Sequence, residues 1–79
     1  MMIAGNALGS RIRALRRLKR MTQQELAEKL NLSASQLSNI ERGVKAPKPE
    51  LIEKMAARLN IPREEFFLVS ERAKRHLLF

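Results

Sequence analysis

The sequence predicts an all-α fold of five short helices. Thr22 with Glu25, and Ser33 with Gln36, both fit the S/T-x-x-E/Q capping box that starts a helix. Apolar residues recur at helical spacing along most of the chain, and no segment shows the alternation typical of a β-strand. Because the two capped segments follow each other closely, we predict a helix-turn-helix between positions 22 and 43.

The first helix is predicted from an N-cap at Asn6 to about Arg20. Leu8, Ile12 and Leu15 recur at i, i+4 and i+7 and form its apolar stripe. Most of the arginines in this segment lie off the stripe. The helix is therefore expected to be amphipathic, with a basic outer face.

The second and third helices are predicted over residues 23–30 and 34–42. Asn31 separates them, since asparagine tolerates the left-handed backbone that ends many helices. Gly43 ends the third helix in the same way. The connection between the two helices is thus only about three residues long, as a helix-turn-helix requires.

The third helix has two very different faces. Leu37 and Ile40 form the apolar side, whereas the other side carries small or hydrogen-bonding residues and one arginine: Ala34, Ser35, Ser38, Asn39 and Arg42. An ordinary solvent-facing helix favours long charged residues such as Glu and Lys. A face of small polar residues suits close contact with another surface, although ordinary surface residues remain the alternative.

The remainder of the chain completes the helical fold. A loop with two prolines leads into a fourth helix over residues 49–59, which has proline in its first turn. Pro62 opens the fifth helix, in which one of Phe66 and Phe67 is expected to fill the core and the other to be an exposed anchor for a second subunit. The expected domain organisation is a flexible N-terminus (1–5), a folded domain (6–69) and a basic-apolar tail (70–79), a candidate helix or dimerisation segment.

Composition favours a polyanionic partner. Sixteen Lys and Arg oppose eight acidic residues, all of them Glu, for a formal net charge of +8. In a small helical domain this excess indicates nucleic acid first, with solubility alone as the alternative. No apolar run approaches the roughly 18 residues of a membrane span, so we expect a cytoplasmic protein without membrane contact.

The sequence contains no group of residues typical of a metal site or a catalytic site. It has no cysteine, which excludes thiolate metal sites, and its one histidine, His76, has no ligand-like neighbours. Without Asp or Tyr, and with no cluster of Glu, there is no acid–base constellation. We therefore expect no enzymatic activity, no metal and no cofactor.

The order of these features resembles the lambda-repressor-like helix-turn-helix family, also called the Cro/C1 or XRE type. The resemblance extends from Ile12 to Phe67 and includes the I-x-x-L-R opening, TQQELA, S-x-x-x-L-S-x-I-E-x-G, a proline-bearing loop and L-x-I-P-x-E-E-F-F. Arg20 and Asn31 stand where the family often has glycine, which indicates local backbone strain. The tail beyond Val69 lies outside the resemblance.

The resemblance implies how each site residue would meet DNA. The family inserts its third helix into the major groove, where Ala34, Ser35, Ser38 and Asn39 would face base edges. Asn39 is the foremost candidate, since asparagine bonds adenine N6 and N7 together.

Phosphate contacts are expected on either side of that face. Gln23 begins the second helix, whose first N–H groups are free, and Arg42, Lys45 and Lys48 lie where the family's loop follows the DNA backbone. For the lysines, simple solvation is an equally good reading. The family's Arg–Glu pair between the first and third helices would be Arg16 with Glu41, a structural ion pair.

The leading hypothesis is a sequence-specific, double-stranded DNA-binding transcriptional regulator that acts as a homodimer. The alternative is a protein-interaction module of the same fold, such as an antitoxin or a coactivator-type bridge. In that case the C-terminal tail is the candidate segment for a protein partner.

Overall fold

The computed structural model describes residues 5–67, and within that range the chain forms helices and turns but no strand. The α-helices are α1 (Gly5–Leu18), α2 (Gln23–Lys29), α3 (Ala34–Glu41) and α4 (Pro49–Leu59), and a 3-10 helix (Arg63–Phe67) follows. The all-α prediction is confirmed. The count of five is not, because the last element is a 3-10 helix in which the Glu65 N–H donates to the Pro62 carbonyl three residues back.

All four α-helices end in the same backbone motif, centred on a residue with left-handed conformation: Arg20 (φ 57°), Asn31 (φ 58°), Gly43 (φ 79°) and Asn60 (φ 56°). At α1 the N–H of Met21 donates to the Arg16 carbonyl, and the N–H of Arg20 donates to Arg17. Equivalent bond pairs close the other three helices. The helix ends predicted at Asn31 and Gly43 are therefore confirmed.

The predicted limits of the first helix were less accurate. It begins at Gly5 rather than after an N-cap at Asn6, so Asn6 lies inside the helix. It ends at Leu18 rather than at Arg20, because Arg20 already has the left-handed backbone that closes it.

Both predicted capping boxes are present. The Thr22 hydroxyl accepts from the Glu25 N–H at 3.0 Å, while the Glu25 carboxylate accepts from the Thr22 N–H at 2.7 Å. The bond from the Thr22 backbone is the main reason that the pKa of Glu25 is lowered. Ser33 and Gln36 form the same reciprocal pair at 3.1 and 2.8 Å. These bonds fix where α2 and α3 begin.

One core joins all of these elements. It is built from apolar residues of every helix: Ile12, Leu15, Leu26, Ala27, Leu30, Leu37, Ile40, Ile52, Met55, Ala56, Leu59 and Phe66. Phe66 is fully buried where the 3-10 helix packs against α1 and α4, whereas Phe67 remains 42% exposed. A salt bridge of 2.9 Å between Arg11 and Glu65 holds the 3-10 helix to α1. Within residues 5–67, none of the helices has the length and apolarity needed to cross a membrane.

Candidate nucleic-acid interface

The outer face of α3 is the candidate surface for contacting DNA bases. α3 packs against both α1 and α2, and it buries Leu37 and Ile40 on that side. The four residues predicted to contact bases lie on the rest of the helix: Ala34 and Ser35 are exposed, and Ser38 and Asn39 are half-buried. No long side chain among these four separates the backbone of α3 from an approaching surface.

Glu41, at the C-terminal end of α3, joins three helices through one buried carboxylate. Its Oε2 accepts from Arg16 Nε at 2.7 Å, and its Oε1 accepts from Arg16 Nη2 at 3.0 Å. Oε1 also accepts from Gln23 Nε2 at 3.1 Å and from Arg13 Nε at 3.4 Å. The ion pair that the resemblance implies between Arg16 and Glu41 is present as a fork-to-fork contact between α1 and α3.

These bonds keep the buried carboxylate ionised. Burial by itself would raise the pKa of Glu41, but the bonds from Arg16, Gln23 and Arg13 outweigh it, and the pKa lies below its ordinary value. The remaining Arg16 nitrogen, Nη1, donates to the Met21 carbonyl at 2.8 Å. In the described part of the chain no buried side-chain nitrogen or oxygen lacks a hydrogen-bond partner. The network therefore fixes the orientation of α3 at no cost in unsatisfied polar groups.

Gln23, predicted to bind phosphate, begins α2 and is half-buried. Its side-chain amide donates to Glu41, which ties the start of α2 to the end of α3. A side-chain amide has two N–H donors, so the second remains for a ligand. The backbone N–H at this first helical position has no partner within the helix.

Arg42, Lys45 and Lys48 are exposed and lie at the end of α3 and in the loop that follows. The ion pairs within residues 5–67 involve Arg11, Arg13, Arg16 and Arg63 as cations, so none of these three is neutralised by a carboxylate there. Instead, Arg42 Nη2 donates to the side-chain oxygen of Asn39 at 2.7 Å.

The loop after α3 is held by backbone bonds. The N–H groups of Val44 and Lys45 both donate to the Asn39 carbonyl, at 2.9 and 3.3 Å. Lys48 directly precedes α4 as its N-cap residue. Lys45 is thus held close to the C-terminal end of α3, and exposed cations lie at this end of the small polar face and in the loop that follows.

Sequence reasoning missed two side-chain contacts at this surface. The sequence-based prediction gives Gln23 a phosphate contact alone, although its side chain also donates to Glu41. Asn39 and Arg42 were treated separately, although they are bonded to each other. Their i, i+3 spacing was a usable signal, since such residues are neighbours on a helix.

Comparison with known proteins identifies relatives of the chain. A helix-turn-helix family model of the Cro/C1 (XRE) type matches residues 12–66. The uncharacterized HTH-type transcriptional regulator YazB of Bacillus subtilis is 46% identical over 57 residues, which cover 72% of this chain and 83% of YazB. The immunity repressor of Bacillus phage phi105 is 44% identical over 54 residues, but these cover 68% of this chain and only 38% of the repressor.

The fold itself is also shared with a solved protein. The crystal structure of the clp gene regulator ClgR from C. glutamicum has a TM-score of 0.80 and 27% sequence identity. The similarity covers 92% of this chain and 94% of that one. Both the architecture and the sequence motif therefore have counterparts among regulators.

Proposed function

This chain belongs to the Cro/C1-type helix-turn-helix family of DNA-binding transcriptional regulators, and we propose that it binds a specific double-stranded DNA sequence with α3 in the major groove. The composition and charge of the outer face of α3 support this proposal most strongly. Small polar side chains cover most of this face, and exposed cations that no carboxylate within residues 5–67 neutralises lie within it (Arg42) and in the loop that follows (Lys45 and Lys48). The family is one of DNA-binding regulators and not of enzymes, so the mechanism is occupancy of DNA without chemistry.

Base contacts come from Ala34, Ser35, Ser38 and Asn39. Serine hydroxyls donate to or accept from several bases, alanine suits a thymine methyl, and the asparagine amide reaches base-edge groups. The absence of bulk on these residues lets the backbone of α3 approach the groove floor. The buried bonds of Glu41 keep that helix at a fixed angle to α1 and α2.

Phosphate contacts come from Gln23 at the start of α2 and from Lys45 and Lys48 in the loop after α3, with Arg42 as the fourth candidate. Such contacts set the register of the protein on the duplex and carry no sequence information. They make affinity depend on salt, because each neutralised phosphate releases condensed counterions.

A homodimer would contact a longer DNA site than one copy can, and a longer site is more specific. A symmetric homodimer sets its two recognition helices in successive major grooves, about 34 Å apart. The exposed Phe67 is the candidate apolar anchor. The tail (70–79) and the proposed end of the domain at residue 69 lie outside the described residues. The proposed dimer therefore forms through the C-terminal end of the domain.

Titration against random-sequence duplex DNA at about 50 and 200 mM salt tests the function. A domain that neutralises several phosphates loses affinity by orders of magnitude between these conditions. A matched charge-reversal variant, Lys45→Glu/Lys48→Glu, should bind more weakly and with a shallower salt slope. Weak binding at both salt concentrations would instead favour the protein-interaction module.

A further inference from the structure

The one side chain to side chain hydrogen bond on the outer face of α3, among the described residues, joins Arg42 to Asn39. Arg42 Nη2 lies 2.7 Å from Asn39 Oδ1, a length typical of a bond from a charged donor. Arg42 is exposed and Asn39 half-buried, so the asparagine end of the pair is the more fixed one.

This bond determines which way the Asn39 amide points. A guanidinium has five N–H donors and no acceptor, so the atom that faces it must be the amide oxygen. The amide nitrogen Nδ2 then points away from Arg42 with its two donors free of that contact. Arg42 uses one of its five N–H groups on Asn39 and keeps four.

Arg42 lies within the face assigned to base contact and not beside it. At about 100° per residue, with Ala34 at the origin, Ser38, Arg42 and Ser35 fall at about 40°, 80° and 100°. Because Arg42 is the C-cap residue of α3, its backbone still continues that helix (φ −85°, ψ −3°). The side chain therefore leaves α3 on the same side as the serines.

The Arg42–Asn39 pair offers many more hydrogen-bond donors than acceptors, so it favours a base edge that carries acceptors. In the major groove guanine presents two acceptors, N7 and O6, whereas adenine presents one acceptor and one donor. To read adenine, Asn39 Oδ1 would have to accept from adenine N6 with its one remaining lone pair, because the other accepts from the charged guanidinium of Arg42. The pair therefore matches guanine better than adenine.

Resting on the proposed function, we propose that Arg42 reads a guanine in each half-site by donating to its N7 and O6, and that Asn39 is the positioning residue that orients the guanidinium. This assignment replaces the phosphate contact that the resemblance implies for Arg42. Ala34, Ser35, Ser38 and Asn39 include no arginine or lysine. Arg42 therefore adds to the outer face of α3 a side chain that can form two hydrogen bonds with guanine.

A chemical double-mutant cycle tests the assignment. The duplex is the site that the wild-type protein selects from a random pool, and each guanine is replaced in turn by 7-deazaguanine, which lacks the N7 acceptor. At one guanine per half-site we expect wild-type affinity to fall roughly fivefold or more, and Arg42→Ala affinity to be unchanged by the same replacement. With the Asn39→Ala protein, 7-deazaguanine should reduce affinity less than it does with wild type. Replacing the same guanine by inosine, which alters only its minor-groove edge, should leave the affinity of the wild-type protein unchanged.

Lys45→Ala is the matched control, since a phosphate contact leaves the sensitivity to 7-deazaguanine intact. If every replacement affects Arg42→Ala as much as wild type, or if the selected site contains no guanine, Arg42 is not a base-reading residue, although the protein still binds specific DNA. If the wild-type protein selects no site at all, the proposed function fails, and this assignment fails with it.

Discussion

Gly9 of α1 lies directly against the backbone of Glu41 at the end of α3. A β-carbon at Gly9 would overlap the carbonyl oxygens of Ile40 and Glu41 and would lie 2.8 Å from the Glu41 carbonyl carbon. Such distances are tolerated only when a flexible side chain gives way, whereas here the neighbours are main chain. The two helices therefore cross as closely as they do because position 9 has no side chain.

Gly9→Ala should destabilise the fold. Helix propensity alone would favour alanine by about 1 kcal/mol, but forcing a methyl group against main chain costs about 1–3 kcal/mol. We expect a lower free energy of unfolding in urea. Ser10→Ala, at an exposed position of the same helix, is the control and should be nearly neutral. A more stable Gly9→Ala protein would mean that α1 and α3 are further apart.

Breaking the Arg16–Glu41 pair from either side should cost about 3–5 kcal/mol, because each single change leaves the other charge buried without its main partner. Arg16→Met and Glu41→Leu are the informative substitutions, since both keep apolar volume. In the double variant the loss should be much smaller than the sum of the two single losses. A coupling free energy near zero, measured by urea unfolding of all four proteins, would contradict the buried pair.

The lowered pKa of Glu41 links stability to pH. A carboxyl group whose pKa is lower in the folded state binds protons more readily when unfolded. Its contribution is therefore complete above the ordinary Glu pKa of about 4.3 and is lost as pH falls through the folded value. Between pH 6 and pH 3, wild type should lose more unfolding free energy than Arg16→Met/Glu41→Leu. Equal losses would show that Glu41 does not carry this dependence.

Asn39→Ala and Lys45→Ala should affect DNA binding differently. Asn39→Ala should reduce discrimination between the selected site and a scrambled duplex by about 1–3 kcal/mol, because it removes base-edge donors and the support of Arg42. Lys45→Ala should weaken binding to both duplexes alike and reduce the salt slope by about 1. Anisotropy titrations of both variants on both duplexes provide the measurement. If Asn39→Ala discriminates between the two duplexes as well as wild type does, Asn39 does not contribute to reading the base sequence.

Features that depend on a few consecutive residues could be predicted from the sequence. The capping boxes at Thr22 and Ser33 and the left-handed ends at Asn31 and Gly43 follow from short-range chemistry, and the structure has all four. The end of α1 was misplaced because Arg20 has no intrinsic preference for the left-handed conformation. That conformation is imposed there by the closing bonds from Met21 and Arg20.

Contacts between distant positions could be predicted only in part. The resemblance indicated the pairing of Arg16 with Glu41, but not that Gln23 and Arg13 would share the same carboxylate. Nor could the sequence show that Gly9 touches the main chain of α3, since that contact depends on the crossing of two helices. On the outer face of α3 the resemblance indicates the candidate residues, while the bond from Arg42 to Asn39 depends on their rotamers.

Binding-site selection from a random duplex pool reports in one experiment whether the chain binds DNA and which sequence it prefers. If a homodimer binds with α3 in the major groove and Arg42 reads guanine, one motif is enriched, as two half-sites related by a two-fold axis, about one helical turn apart, with a guanine in each half-site. Recovery of a pool with no enriched sequence, under conditions where the protein is folded, would contradict sequence-specific DNA binding.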